Sequence, residues 1–372
     1  MKILKKSFSR AQLMELVPIF TLIVLLIVFH YQSEAFLTQR NLTNLFRQVS
    51  VNCILAFGMT AIILLGAIDL SIGSVLALGS VVAGLMQVDF GMNQAGISGA
   101  LLTIAAVVGV CALTGAFTGS MVAKFKMPSF VVTLGIFVIA RGLALILSGG
   151  SKIAPLSESY RWLGTSFVSP DSSLALILIV SLLACIFFAF QSGAKKWLEI
   201  ILVIVAAAAL SWIFYGYQGI PVPVLFMSAT FAGIYFLLNK TTFGRSIYAI
   251  GGNPEAARLC GIRVPLIFFA TFVLMGTLVA FAAIIEGGRI DAGDPTGGNL
   301  YELDAIAAVV IGGTSLQGGV GTVTGTLLGA FLMGTLNNGM SLMNIPTNYQ
   351  MVIKGMIIIL AVLMDVLSKN RK

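Results

Sequence analysis

The chain has 372 residues, of which 58% are hydrophobic and only 10% charged, and its mean hydropathy is +1.02. Soluble domains carry about 25% charged residues, so this balance excludes an ordinary soluble globule and points to a polytopic membrane protein. The formal net charge of +8 does not signal a nucleic-acid partner, because no basic stripe with interleaved aromatics occurs and the basic residues sort by membrane side instead.

Apolar runs recur at residues 14–31, 50–67, 71–88, 98–122, 128–148, 173–190, 197–215, 222–239, 265–285, 303–316, 319–336 and 349–367, twelve spans of which two are short. Crossing about 30 Å of hydrocarbon takes about 17 to 25 helical residues, and no charge-rich segment divides the series. One all-α transmembrane domain over 1–372 therefore accounts for the chain. The 40 glycines are scattered through the spans, which fits helices packed closely through small residues and not a barrel.

The basic start, the first apolar run and Ser33-Glu34-Ala35 imitate a signal peptide, but the many spans that follow make an uncleaved first span the expectation. His30, the only histidine, ends that run at an interfacial position. Cys53, Cys111, Cys185 and Cys260 show no CxxC and no regular spacing, so neither a disulfide framework nor a metal site is expected.

Asn52 and Thr60 place an amide and a hydroxyl in the second span. The stretch LLGAIDLSIGSVLALGS then sets Asp69 between two apolar runs, beside Ser71, Gly73 and Ser74. A carboxylate at mid-bilayer depth costs about 2.5 to 3.5 kcal/mol on insertion scales, so it needs a partner or a role. Either Asp69 caps the following helix or it faces a polar pathway, and a cap can still line a cavity. A matching break is IGGTSLQGGVGTVTGTLLGA at 311–330, with Thr314 and Ser315. Paired interruptions of this kind are expected of discontinuous helices along a translocation path, although small residues also simply pack helices. Identity between the two halves is too low to establish a repeat.

Residues 240–263, KTTFGRSIYAIGGNPEAARLCGIR, form a polar island between apolar runs. A turn at Gly251, Gly252 and Asn253 leads to Pro254, suited to the first helical position, and to a short helix with Glu255, Ala256, Ala257, Arg258 and Leu259. The island reads as a compact helix offered to another protein at a membrane face. The loop EGGRIDAGDPTGGNLYELD at 286–304 sets Glu286, Asp291, Asp294, Glu302 and Asp304 against Arg289, a negative surface for a basic partner. Asn337 and Asn338, near the last outer turn, can exchange hydrogen bonds with a neutral polyhydroxylated solute or bridge helices to one another.

With the N-terminus inside, strict alternation puts Lys2, Lys5, Lys6 and Arg10, Lys124 and Lys126, Lys195 and Lys196, the four basic residues of the island, and Lys369, Arg371 and Lys372 on one side, fifteen of the 22 basic residues. That asymmetry places the island and both termini in the cytoplasm. No Gly-Lys dipeptide occurs, so the GxxxxGK[ST] phosphate loop is absent. Asp69 stands nearly alone within the spans, with Arg141 and Lys354 as the basic exceptions, too few groups for a proton relay. Energy for uphill transport is expected from another subunit.

The segments NLTNLFRQVSVNCILAFGMT (41–60), AIDLSIGSVLAL (67–78), KMPSFVVTLG (126–135) with Arg141-Gly142, FGRSIYAIGGNPEAARLCGI (243–262) and YELDAIAAVVIGGTSLQGGVGTVTGTLLGA (301–330) carry a resemblance. The chain resembles the permease of bacterial ATP-driven importers for monosaccharides, the ribose, galactose and xylose group of the branched-chain-type permease superfamily. That resemblance implies an inner-membrane permease of type II-like importer architecture, with about 10 to 12 helices, some discontinuous. It implies a homodimer, a coupling loop on Gly251 to Leu259 that docks into an ATP-binding subunit, and a periplasmic sugar-binding protein on the 286–304 loop. ATP and magnesium would belong to the partner subunit, with no cofactor in this chain. Residues 190–220 look like an added pair of crossings, more reminiscent of xylose-type than ribose-type permeases, so xylose, galactose or glucose is the expected sugar. The substrate path is expected at Asn52, Asp69, Ser71, Thr314, Ser315, Asn337 and Asn338. The competing expectation is a stand-alone carrier or channel in which the island is only a loop and Asp69 binds a coupling ion.

Overall fold

A computed structural model of the chain describes residues 10–190 and 196–369. Lys2, Lys5, Lys6, Lys195, Arg371 and Lys372, part of the charge asymmetry above, lie outside the described residues. The described helices are α1 (Arg10–Gln32), α2 (Gln39–Leu64), α3 (Ile72–Gly84), α4 (Gly96–Phe125), α5 (Ser129–Leu147), α6 (Glu158–Thr165), α7 (Pro170–Phe190), α8 (Lys196–Tyr215), α9 (Val222–Lys240), α10 (Thr242–Gly252), α11 (Pro254–Leu259), α12 (Val264–Ile290), α13 (Tyr301–Ile311), α14 (Val323–Leu342) and α15 (Thr347–Lys369). Among the described residues the only β features are two isolated bridges, Ile153 with Gly293 and Phe167 with Pro221.

Among the described residues seven helices are long and apolar enough to cross a membrane: α2, α3 with its continuation to Asp89, α4, α5, α7, α9 and α12. Pro18–Gln32, Glu199–Tyr215 and Thr347–Leu363 are shorter apolar helical stretches. The second span begins at Gln39, well before the expected residue 50, because Thr38 caps the helix by accepting from the Asn41 amide at 3.3 Å. Its polar first turns precede the apolar run that the sequence displays.

Helix α2 is the axis of the molecule. Every residue from Cys53 to Leu64 is buried, with α9, α12, α13 and α14 packed around it; a helix apolar on all sides belongs in such a core. Helices α4 and α12 form the most extensive pair. They approach through Gly115 and Gly276: a Cβ on Gly115 would strike the Phe272 carbonyl, and one on Gly276 the Cys111 carbonyl. Helices α7 and α8 pack mainly on each other and expose Leu178, Ile179, Leu182, Ile201, Leu202 and Val205, a lipid-facing hairpin. The added pair of crossings expected within 190–220 is thus corrected: only α8 lies there, and α7 is its partner.

Two interruptions shape the interior. The first, residues 65–71, separates α2 from α3. The second, residues 291–300, separates α12 from α13 and does not stay at the surface. Gly293 exchanges backbone hydrogen bonds with Ile153 at 2.9 and 3.0 Å, the Asp294 amide donates to the Ser80 hydroxyl at 3.1 Å, and Gly298 packs against Gly73. Ser80 and Gly73 are seven residues apart on α3, about 10 Å along the axis, so the segment descends beside α3. Helix α13 can consequently be short: its 11 residues measure about 16 Å, roughly half the hydrocarbon thickness. The two short crossings expected at 303–316 and 319–336 resolve into this half-length helix and the 20-residue α14.

Replacing Gly115 with leucine forces the α4–α12 backbones apart and is expected to destabilise the fold by about 1 to 3 kcal/mol or more. Gly109→Ala, on the same helix with nothing near its side-chain position, should leave the thermal midpoint in detergent unchanged or slightly raised. Equal midpoints for the two variants would count against this packing.

Candidate functional site

Inside a bilayer every backbone polar group needs an internal partner, and both interruptions meet that need in the same way. The Asp69 Oδ1 accepts from the Ser71 amide at 2.9 Å and the Ser71 hydroxyl at 2.6 Å. The Asp294 Oδ1 accepts from the Thr296 amide at 2.9 Å and the Thr296 hydroxyl at 2.7 Å. The surrounding sequences are AIDLSIG (67–73) and AGDPTGG (292–298), so A-x-D-x-[ST]-x-G occurs once at each interruption. The duplicated element pairs 67–73 with 292–298, not with 311–330 as the sequence reading expected. The signal was legible, but only seven residues long.

Helix α5 braces both interruptions. Ser129 Oγ accepts from the Ile68 amide and Thr133 Oγ1 donates to the Ile68 carbonyl, each at 3.3 Å. One turn pair further on, Arg141 Nη1 donates to the carbonyls of Pro295 and Gly297 at 2.7 and 2.9 Å. The two interruptions meet where Gly73 opens α3: a Cβ there would strike the Gly298 carbonyl and stand 2.5 Å from Glu302 Oε2. Glu302 is 6% exposed, and its Oε2, together with Ser74 Oγ and Arg141 Nη2, is buried without a hydrogen-bond partner. The charges facing Arg141 are Glu302 and Asp294. Beside Asp69 the cavity lined by Ser71, Cys111, Thr114 and Thr118 measures about 10 Å³, room for about one water.

The acids of the 286–304 loop do not form the exposed negative face expected of them. Glu286, Asp294, Glu302 and Asp304 are all buried, at 3 to 8% exposure, because the segment enters the protein. Glu286 pairs with Arg289 at 2.7 Å and accepts from the Tyr301 hydroxyl at 3.3 Å, tying the end of α12 to the start of α13. Asp291 remains partly exposed, bound to Arg161 at 2.7 Å and to the Leu156 amide at 2.9 Å. Asp294 also meets Lys152 at 3.1 Å. Asp304 holds Lys354 at 2.9 Å and accepts from Asn337 at 3.2 Å, which joins α13, α14 and α15 and gives the intramembrane lysine its partner.

The remaining path residues separate. Asn338 exchanges two amide bonds with Asn41, at 2.9 and 3.0 Å, and so bridges α14 to α2. Thr314 and Ser315 are buried in the turn after α13, where the Ser315 amide donates to Val320 at 2.8 Å. Asn52 is half-buried on α2. Thr60 bonds Thr326 at 2.7 Å. Among the described residues no group of His, Cys, Asp or Glu is arranged to hold a metal ion.

In the polar island, Gly251 and Gly252 close α10 instead of forming a free turn. Asn253 caps α11 by accepting from the Glu255 and Ala256 amides, both at 3.0 Å, with Pro254 in the first helical position. Ala257 is buried, while Glu255, Ala256, Arg258 and Leu259 are exposed, Leu259 at 84%. The island is locked to both halves of the interior. A Cβ on Gly251 would strike the Leu64 carbonyl and the Gly319 amide, Gly319 donates to the Leu64 carbonyl at 2.9 Å, and the Tyr248 hydroxyl donates to Gly321 at 3.0 Å. Burial pushes the Tyr248 pKa upward, which keeps that proton in place. Three backbones thus touch with no side chain between them: the island, the end of α2 that leads into the first interruption, and the turn between α13 and α14.

The model of the family described as branched-chain amino acid transport system / permease component matches residues 41–362. The chain belongs to this family. It is 39% identical over 370 residues to the xylose transport system permease protein XylH of Escherichia coli K12, covering 95% of this chain and 92% of that protein. It is 37% identical over 362 residues to the ribose import permease protein RbsC of the same strain, covering 97% and 96%, and 36% identical over 351 residues to RbsC of Bacillus subtilis 168, covering 94% and 91%. No solved structure matches this permease.

Lys354→Met leaves the buried Asp304 without its countercharge and is expected to cost about 3 to 5 kcal/mol, whereas Lys354→Met with Asp304→Leu should recover most of it. Thermal unfolding of the three proteins in detergent checks this, and additive losses in the double variant would refute the pairing.

Proposed function

We propose that this chain is the membrane-spanning subunit of an ATP-driven sugar importer that carries a pentose such as xylose or ribose across a bacterial inner membrane. The observation that carries the reading is the near-full-length identity to permeases named for xylose and for ribose. Both named sugars are pentoses, which moves the expectation away from galactose and glucose. The exposed, capped α11 agrees with it: Glu255, Arg258 and Leu259 project from a helix whose root is welded to the core at Gly251. A stand-alone carrier has no use for such a lever.

In this reading two copies of the chain pair in the membrane, and Gly251 to Leu259 of each docks on an ATP-binding subunit that holds ATP and magnesium. The N- and C-termini and α11 lie in the cytoplasm, the side that the basic residues favour. A periplasmic or extracellular binding protein delivers the sugar to the opposite face, where Lys152, Trp162 and the Arg161–Asp291 pair are exposed or partly so and take over the docking role first assigned to the buried acids. Closure of the ATP-binding subunits moves α11, and the glycine contact passes the displacement to the first interruption through Leu64 and to α13, which follows the second, through the turn at Gly319, so that binding below and delivery above bias one pair of states.

The test is ATP hydrolysis by the assembled complex in liposomes, with and without pentose-loaded binding protein. Arg258→Glu combined with Leu259→Asp should lower the stimulated rate about tenfold or more, a barrier raised by at least about 1.4 kcal/mol. Gly251→Ala, which keeps the exposed side chains Glu255, Arg258 and Leu259 but wedges the contact with Leu64 and Gly319, should keep the ATP-binding subunit bound and still lose stimulation. Stimulation untouched in both variants, or ion-gradient-driven pentose uptake by this chain alone, would sink the reading.

A further inference from the structure

The duplicated interruptions do more than reverse the chain. Their following helices start against one another, with Gly73 on Gly298, and at that contact a carboxylate is held with one oxygen unused: Glu302 Oε2, 2.5 Å from the side-chain position of Gly73. The same surroundings hold Arg141, which spends Nη1 on the Pro295 and Gly297 carbonyls and leaves Nη2 buried and unpartnered. Ser74, in the first turn of α3, is fully buried with a free hydroxyl. Unsatisfied donors and acceptors at this depth are costly, and each calls for a partner. Asp69 and Asp294 are not of this kind, since their turns already occupy them.

We propose that the crossing of the two interruptions is a gated binding site for a neutral polyol, in which Glu302 and Arg141 take the hydroxyls of the solute when Gly73 and Gly298 part. A carboxylate and a guanidinium offer the hydroxyls of a solute a strong acceptor and strong donors. Gly73 and Gly298 abut directly in the closed contact, so the site is assembled only as the interruptions separate, and solute is held briefly and released. Arg141 has a second task, since it clamps the descending segment through two backbone carbonyls and moves with it. The proposal rests on the pentose-importer reading and adds its binding groups.

The probes are D-xylose and D-ribose, applied to the complete complex in liposomes with its binding protein. Uptake by the unaltered complex comes first; if neither pentose enters, the importer reading fails, and this is distinguishable from failure of the site. A reporter, Ser74→Cys with Cys111→Ala, Cys185→Ser and Cys260→Ser, is then labelled by a small thiol reagent during ATP turnover. Millimolar pentose is expected to slow labelling about tenfold, and Glu302→Gln in the same background to bring the labelling rates with and without sugar together. Should Glu302→Gln fail to assemble, Arg141→Lys, which keeps the charge but loses the guanidinium fork, must show the same loss. Labelling indifferent to either pentose in a complex that transports them, or protection that survives the substitution, overturns the proposal.

Discussion

The constraint on which this architecture depends is the absence of water in the hydrocarbon, which obliges any non-helical backbone to find its partners inside the protein. The permease breaks its helices twice within the interior and settles the account locally each time. An aspartate two residues ahead of a serine or threonine accepts both the amide and the hydroxyl of that residue, replacing the helical bonds that the interruption gives up. Arg141 and the hydroxyls of Ser129 and Thr133 supply the rest from α5. Because the repair is local, each interruption remains a separate mechanical element that can move without unravelling the helix on either side of it.

From that arrangement the role of the small residues follows. Where two interruptions or their flanking turns meet, the contact is backbone on backbone: Gly73 with Gly298 at the crossing, and Gly251 with Leu64 and Gly319 at the root of the polar island. Such contacts have no side-chain rotamers to absorb a displacement, so a shift of one partner is passed to the other; packed interiors of this density are bistable more readily than they are compliant. The buried acids act in the opposite sense. Asp304 with Lys354 fixes α13 to α15, and the Tyr301 hydroxyl on Glu286, itself paired with Arg289 within α12, ties α13 to α12, so the half-length helix is held in register.

Much of the fold is legible along the chain. The apolar runs give the helices, and Asn253 followed by Pro254 and Glu255 gives a capped helix from local chemistry alone. The buried acids are not legible, because a string such as EGGRIDAGDPTGG is polar and glycine-rich whether it lies in water or is drawn down beside a helix. Glu302 reads as surface charge until the descent of residues 291–300 along α3 places it at Gly73. Asn338 reads as a path residue until Asn41, nearly 300 positions away, proves to be its partner. The A-x-D-x-[ST]-x-G duplication lies between these cases: it is visible in the sequence, but too short to stand out before the hydrogen bonds show that both copies do the same work.

By itself, then, the sequence determined the solvent, the helical class, the presence of breaks and the existence of a short capped helix in the polar island, since each follows from composition, periodicity or capping within a few residues. Only the tertiary structure decided which breaks correspond, which acids are buried, what Lys354 pairs with and what Gly251 touches. Those outcomes depend on contacts between segments tens to hundreds of residues apart, and in a bilayer, where every apolar face is equally acceptable to lipid, hydrophobic pattern alone does not choose among them.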